Sequence, residues 1–275
     1  MRIQLGNLSA RSLVHWMPWF GTQGHVPFNY TMRSGAVRPY VSADQMICDD
    51  QCKNMLDAGA SGINADYYGP DAPSHLATLR MLNSCERTAL SFTLCIDKGA
   101  LKGLQGKAAT DEYIRILNFC ADTFFLSSWY LESDGAKVVS FFGEPGGVDW
   151  RAVRAGVATK LKLLFQSNFS HAECDGSFGW VNPVIAEPEN INTAAVESFN
   201  AMAAAAPNKL AWHPLYAGFD NSLATWGERR FMTRGCGRTW QTIRSLVPEL
   251  AQWALVATWN DHEEGSGIEQ CAAVM

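Results

Sequence analysis

The densest reactive segment of the chain is TWNDHEEG, from Thr258 to Gly265, in which Asn260 precedes Asp261, Glu263 and Glu264 while Gly265 and Gly267 free the backbone. Neighbouring carboxylates resist simultaneous ionisation, so at least one of the three keeps its proton toward neutral pH and can act as a general acid. Glycosidic hydrolysis needs that division of labour. One carboxylic acid protonates the leaving oxygen while an ionised partner activates water or attacks directly. Asp261 and Glu264, three positions apart, project to a similar side of a helical turn, and Glu263 points elsewhere. From spacing alone the segment is either this pair or an acidic, solvated loop after a strand.

The elements that must position these groups are short apolar runs: LVHWMPWF from Leu13, GINADYY from Gly62, ALSFTLCI from Ala89, KVVSFFG from Lys137, KLKLLFQ from Lys160, SFGWV from Ser177, KLAWHPLY from Lys209 and ALVATW from Ala254. Most lack strict alternation, as strands covered on both faces do. Helical patterns lie between them, over 49–58, 75–82, 110–126, 150–158, 193–206 and 238–247, with Pro207 and Pro248 ending two. Eight strand and helix units in a chain of 275 residues predict a (β/α)8 TIM barrel in one domain. Lys160 and Ser177 are too close for a helical crossover, so the barrel is expected to be irregular around its fifth and sixth strands. A doubly wound open sheet is the alternative, although no GxGxxG or GxxxxGK[ST] motif follows the first strand.

In such barrels the reactive groups lie at the C-terminal ends of the strands. That filter selects His15, Trp16 and Trp19, then Asp66, Tyr67 and Tyr68, then Asp97, Glu144, Gln166 and Asn168, Trp180 and Asn182, Tyr216 and Asp220, and finally Trp259, Asn260, Asp261 and Glu264. The chain holds 10 Trp, 7 Tyr and 14 Phe, many beside Gly, Pro, Asn or Asp, which places aromatic faces near loops. Aromatic rings cover the C–H faces of pyranoses while carboxylates and amides bond their hydroxyls, so the mixture describes a sugar site. Single tryptophans at the rim of a core are the ordinary alternative. Asp66 and Asp97 either bind sugar hydroxyls or cap a helix and pair with a cation such as Lys98, and Glu144 sits in a turn-like EPGG.

Composition excludes other classes. With 27 Asp and Glu against 22 Lys and Arg, the net charge of −5 argues against a nucleic-acid partner. No apolar run approaches the roughly 18 residues of a membrane span, and the start MRIQLGNLSARS lacks the apolar block of a secretory signal, so the expectation is a soluble chain, secreted only if a leader was trimmed. HWMPWFGTQGH carries His15 and His25 without HxH or HExxH spacing, and no metal or organic cofactor is expected. Of the eight cysteines, Cys95 and Cys120 read as buried thiols, and Cys236 and Cys271 are placed to form a disulfide. No GxSxG nucleophile elbow is present.

LVHWMPWFG, NADYYGP and ATWNDHEEGSGIE resemble, in order, motifs of the glycoside hydrolase family 71 and family 99-like barrels, which contain fungal α-1,3-glucanases and endo-α-mannosidases respectively. The last motif is the most specific, and its Asp is closer to the family 71 pattern. By this resemblance Asp261 and Glu264 are the catalytic pair, Trp259 and Asn260 hold support positions, and the partner is an α-linked oligosaccharide or polysaccharide. An Asp carboxylate lies one methylene closer to its backbone than a Glu carboxylate, which widens the gap to Glu264 and favours inversion, with Asp261 as general base and Glu264 as general acid. A glycan-binding barrel without turnover and a metal-dependent hydrolase on the same fold are the competing readings.

Overall fold

The structure is a computed structural model that describes residues 3–6, 8–21, 40–183, 191–222, 224 and 230–269. Among these residues eight parallel strands close into a ring: β1 (Arg11–Trp16), β2 (Gly62–Tyr67), β3 (Ser91–Asp97), β4 (Ala136–Phe142), β5 (Leu161–Gln166), β6 (Gly176–Phe178), β7 (Leu210–Leu215) and β8 (Trp253–Val256). Pairing of β3 with β4, and of β8 with β1, completes the circle. The expected barrel is therefore borne out, and each of the eight apolar runs supplies one of its strands.

Among the described residues six α-helices pack around it: α1 (Gln45–Asp57), α2 (His75–Thr88), α3 (Gly106–Thr123), α4 (Trp150–Ala155), α5 (Thr193–Ala205) and α6 (Arg238–Ser245). Two begin one turn before the expected residue, for different reasons. The α1 helix is capped by Asp44, whose side chain accepts from the Met46 amide at 2.9 Å. The α3 helix starts on Gly-Lys-Ala-Ala with no side-chain cap, so its sequence carries no start signal.

Side chains alternate across each barrel strand, and the two faces have separate cores. Leu13, Cys95, Val138, Leu164, Phe178, Trp212 and Leu255 fill the interior of the ring. Val14, Trp16, Ile63, Tyr67, Phe92, Phe141 and Phe165 face the helices. Between β5 and β6 no helix intervenes, as the short interval predicts. The connection is held by α4 instead: the Arg154 guanidinium donates to the carbonyls of Leu161 and Glu173 and to Asp175 Oδ2, each at 2.8 Å. A short hairpin, Phe219–Asp220 with Phe231–Met232, stands between β7 and α6. No helix of the described residues is long and apolar enough to cross a membrane.

Candidate active site

Because alternation turns every second residue inward, the last inward positions of β1 to β5 bring His15, Asp66, Asp97, Phe142 and Gln166 to the C-terminal mouth of the ring. His15, Asp66, Asp97 and Phe142 line an inner cavity of about 630 Å3 together with Asp261 and Glu264. Trp19 and Tyr68 form one aromatic wall, with ring centroids 6.1 Å apart. Trp180 forms the other, edge-on to His15 at 4.7 Å and to Phe142 at 4.8 Å.

The segment after β8 is fixed by bonds to its own turn and to distant elements. The Asp261 amide donates to Thr258 Oγ1 at 2.8 Å, and Asp261 Oδ1 accepts from the Glu264 amide at 2.9 Å. This is the helical-turn geometry that brings positions 261 and 264 to one side. Gly265 has φ +58°, and an added Cβ would meet the Asp220 backbone at 3.2 Å, so glycine is required there. Arg234 donates to the carbonyls of Gly265 and Gly267, both at 2.9 Å, and the Asp220 amide donates to the Glu264 carbonyl at 2.6 Å.

A buried polar chain backs the same segment. Asn260 grips β1 through Met17, accepting from its amide at 2.7 Å and donating to its carbonyl at 2.9 Å. Glu269 accepts from Gln51 at 2.7 Å and from the Tyr40 hydroxyl at 3.1 Å, and lies 3.1 Å from His262 Nε2. Gln51 in turn accepts from the Trp16 indole at 2.7 Å, which ties the outward face of β1 to this network.

Five acids line the inner cavity, Asp66, Asp71, Asp97, Asp261 and Glu264, and burial raises the proton affinity of Asp66, Asp97 and Asp261. Asp261 is pushed well above the usual carboxylate range by burial and by the charge of Glu264. Burial and the neighbouring Asp97 do the same to Asp66, to which Tyr68 is hydrogen-bonded, and burial also raises Asp97 although the Gly99 amide donates to it. Burial lowers His15 to about 3, so its imidazole is neutral. Asn64 lies 3.2 Å from His15 Nδ1, and His15 Nε2 lies 3.8 Å from Asp66 Oδ1. His15, Asp66 and Cys95 bring a ring nitrogen, a carboxylate oxygen and a sulfur within 4.8 Å of one another.

An outer cavity of about 540 Å3 adjoins the inner one and shares Phe142, Trp180 and Glu264 with it. Its other walls carry Gln166, Asn182, Asn221 and Arg230, so apart from the shared Glu264 its polar side chains are mainly amides and a guanidinium.

Eight of the residues which that filter selects line neither cavity: Trp16, Tyr67, Glu144, Asn168, Tyr216, Asp220, Trp259 and Asn260. Trp16, Tyr67, Tyr216 and Trp259 belong to the layer between barrel and helices, because each takes the outward direction of its strand or follows from it. Tyr67 bonds His75 Nδ1 at 3.1 Å and Tyr216 the Asn192 carbonyl at 3.2 Å, which occupies both hydroxyls. Asn260 is spent on Met17 and is a support. Glu144 accepts from the Trp150 indole at 2.7 Å and is structural. Phe142, Met17 and Lys102 line the inner cavity without having been selected. Phe142 follows from inward parity on β4, whereas Lys102 lies beyond β3 in a loop that no motif marks. Cys95 and Cys120 are buried free thiols. Cys236 is exposed, and Cys271 and His25 lie outside the described residues.

No family model and no curated protein sequence matches the chain. Among solved structures it is similar to the family 99 endo-α-mannosidase of Bacteroides thetaiotaomicron, free and with bis-tris propane, at a TM-score of 0.71 and 13% identity over 96% of this chain and 88% of that one. It is also similar to a glycoside hydrolase-like protein at a TM-score of 0.66 and 11% identity, over 98% of this chain and 89% of that one. These likenesses are likenesses of fold.

Proposed function

We propose that the chain is a glycoside hydrolase that cleaves an α-linked glycan of α-glucan or α-mannan type with inversion, using Asp261 and Glu264 as its carboxylate pair. One observation carries the reading: Glu264 stands where the inner and outer cavities meet, beside the buried Asp261. A glycan laid across both cavities has its scissile oxygen at that junction. One sugar then rests between the Trp19 and Trp180 walls, with neutral His15, Asp66 and Asp97 facing its hydroxyls, and the next extends toward Gln166 and Asn182.

In the proposed step Glu264 gives its proton to the glycosidic oxygen as the bond from that oxygen to C1 breaks. A water attacks C1 from the opposite face and loses its proton to Asp261. Burial makes Asp261 a stronger base than a solvated carboxylate, provided it is ionised. Because burial and the charge of Glu264 hold the shared proton on Asp261, the reacting form with Asp261 ionised and Glu264 protonated is lost as pH rises through the raised Asp261 range, which sets a falling limb above the ordinary carboxylate range.

The test is turnover of α-1,3-glucan, α-mannan and related α-glycans by the whole chain in excess chelator, followed by proton NMR. The expected first product is the β-anomer, and Asp261→Asn and Glu264→Gln chains are expected to bind glycan without cleaving it. Retained configuration would overturn inversion. Binding without turnover in the unmodified chain would overturn the hydrolase in favour of a glycan-binding barrel.

A further inference from the structure

Asp261 and Glu264 come from the segment after β8, whereas the opposite part of the inner cavity is built by β1, β2 and β3. Register places His15 beside Asn64 and Asp66 beside Cys95, so an imidazole, a carboxylate and a thiol on three adjacent strands all turn inward. All three are buried, and their donor atoms lie within 4.8 Å of one another. His15 Nε2 and Asp66 Oδ1, at 3.8 Å, are too far apart for a hydrogen bond. That separation is close to the edge of about 3.4 Å that tetrahedral zinc sets between a nitrogen and an oxygen ligand.

The surrounding hydrogen bonds favour the same use of His15. Ser140 Oγ lies 3.1 Å from Asn64 Oδ1 and 3.3 Å from the Leu94 carbonyl, two acceptors for one hydroxyl proton. Turning the Asn64 amide over removes the conflict. Its nitrogen then donates to Ser140, Ser140 donates to Leu94, and its oxygen accepts from His15 Nδ1–H. In that arrangement the Nε2 lone pair faces Asp66, the tautomer a metal-bound histidine needs.

We propose that His15 Nε2, Asp66 and Cys95 Sγ form a site for one divalent transition-metal ion of the zinc class. Nitrogen, oxygen and sulfur donors together suit such an ion better than magnesium or calcium. On binding, the Cys95 S–H bond and the Asp66 O–H bond break, both protons pass to solvent, and the thiolate and the Asp66 carboxylate balance the two positive charges. The remaining coordination position opens toward the cavity, so metal and sugar compete for His15 and Asp66. Short motif spacing misses the site because its ligands arrive from separate strands.

The test uses the whole chain, stripped with chelator and titrated with zinc chloride by calorimetry and with cobalt(II) by absorption. One zinc per chain and a near-ultraviolet thiolate-to-cobalt band are expected. Cys95→Ser should abolish the band and weaken zinc by about 100-fold or more, and the near-isosteric His15→Gln should weaken it as well. Cys236→Ser, which removes the exposed thiol, and Asp261→Asn should bind zinc as the unmodified chain does. No stoichiometric zinc, no thiolate band, unchanged affinity in Cys95→Ser, or loss in Cys236→Ser would each overturn the proposal. If Cys95→Ser fails to fold, the band in the unmodified chain decides. Metal binding is read without substrate, so its failure leaves the hydrolase reading intact, and loss of turnover in Asp261→Asn leaves the metal site intact.

Discussion

The inner and outer cavities share a wall and differ in almost everything else. The inner one is lined by five acids between two aromatic walls, and three of them, Asp66, Asp97 and Asp261, are desolvated by burial. Amides and Arg230 line the outer one, which opens beside the helix-free connection between β5 and β6. The contrast teaches where chemistry and recognition are divided. The proposed proton transfer draws on the enclosed side, where burial raises Asp66, Asp97 and Asp261 alike. Amides and one guanidinium can bond sugar hydroxyls there without adding acids to that set.

The largest effect expected from breaking this division is at the shared acid. Glu264→Gln should lower kcat by about 1000-fold while a glycan that fills both cavities still raises Tm, measured by steady-state kinetics and thermal melts. Trp180→Ala removes the ring common to both sides and should lower kcat/KM by about 30-fold, in kcat and KM together, as a lost apolar contact of about 2 kcal/mol would. Gln166→Ala touches the outer side alone. It should raise KM by about 3–10-fold with kcat unchanged, the loss of a neutral hydrogen bond. An equal fall in kcat would erase the proposed contrast.

The smallest effect is on stability, and its sign is fixed by the direction of the Asp66 shift. Between the ordinary carboxylate pKa and the raised one, the folded chain holds a proton that the unfolded chain has lost, so stability falls as pH rises through that window. Asp66→Asn, which carries no charge, should therefore leave Tm unchanged near pH 4 and raise it by about 2–4 °C near pH 8, as followed by calorimetry. A lower Tm across the whole range would show that the Tyr68 bond outweighs the desolvation.

All eight strands were legible because each is a short apolar run bounded by polar residues, and the missing helix before β6 was legible from length alone. Which residue of each run faces the sugar was not, since both faces of a barrel strand are covered and apolar patterning therefore carries no parity. His15 and Trp16 show the cost: adjacent in sequence, one lines the cavity and the other bonds Gln51 on the helix side. Asp66 and Tyr67 divide in the same way. The acidic segment after β8 stood out by its spacing. Its supports did not, because Arg234, Tyr40, Gln51 and Glu269 reach it through tertiary contacts that no local pattern encodes.

The Arg234 clamp has a bearing on redesign. Arg234 follows the hairpin whose Phe219, Asn221 and Arg230 border the outer cavity, and the same stretch bonds Glu264, Gly265 and Gly267 through main-chain atoms. A loop graft meant to retarget the enzyme to another polymer must therefore transplant 219–234 together with 264–267 as one cassette. Exchanging either piece alone would swap the proposed selectivity element while unmooring the proposed proton donor.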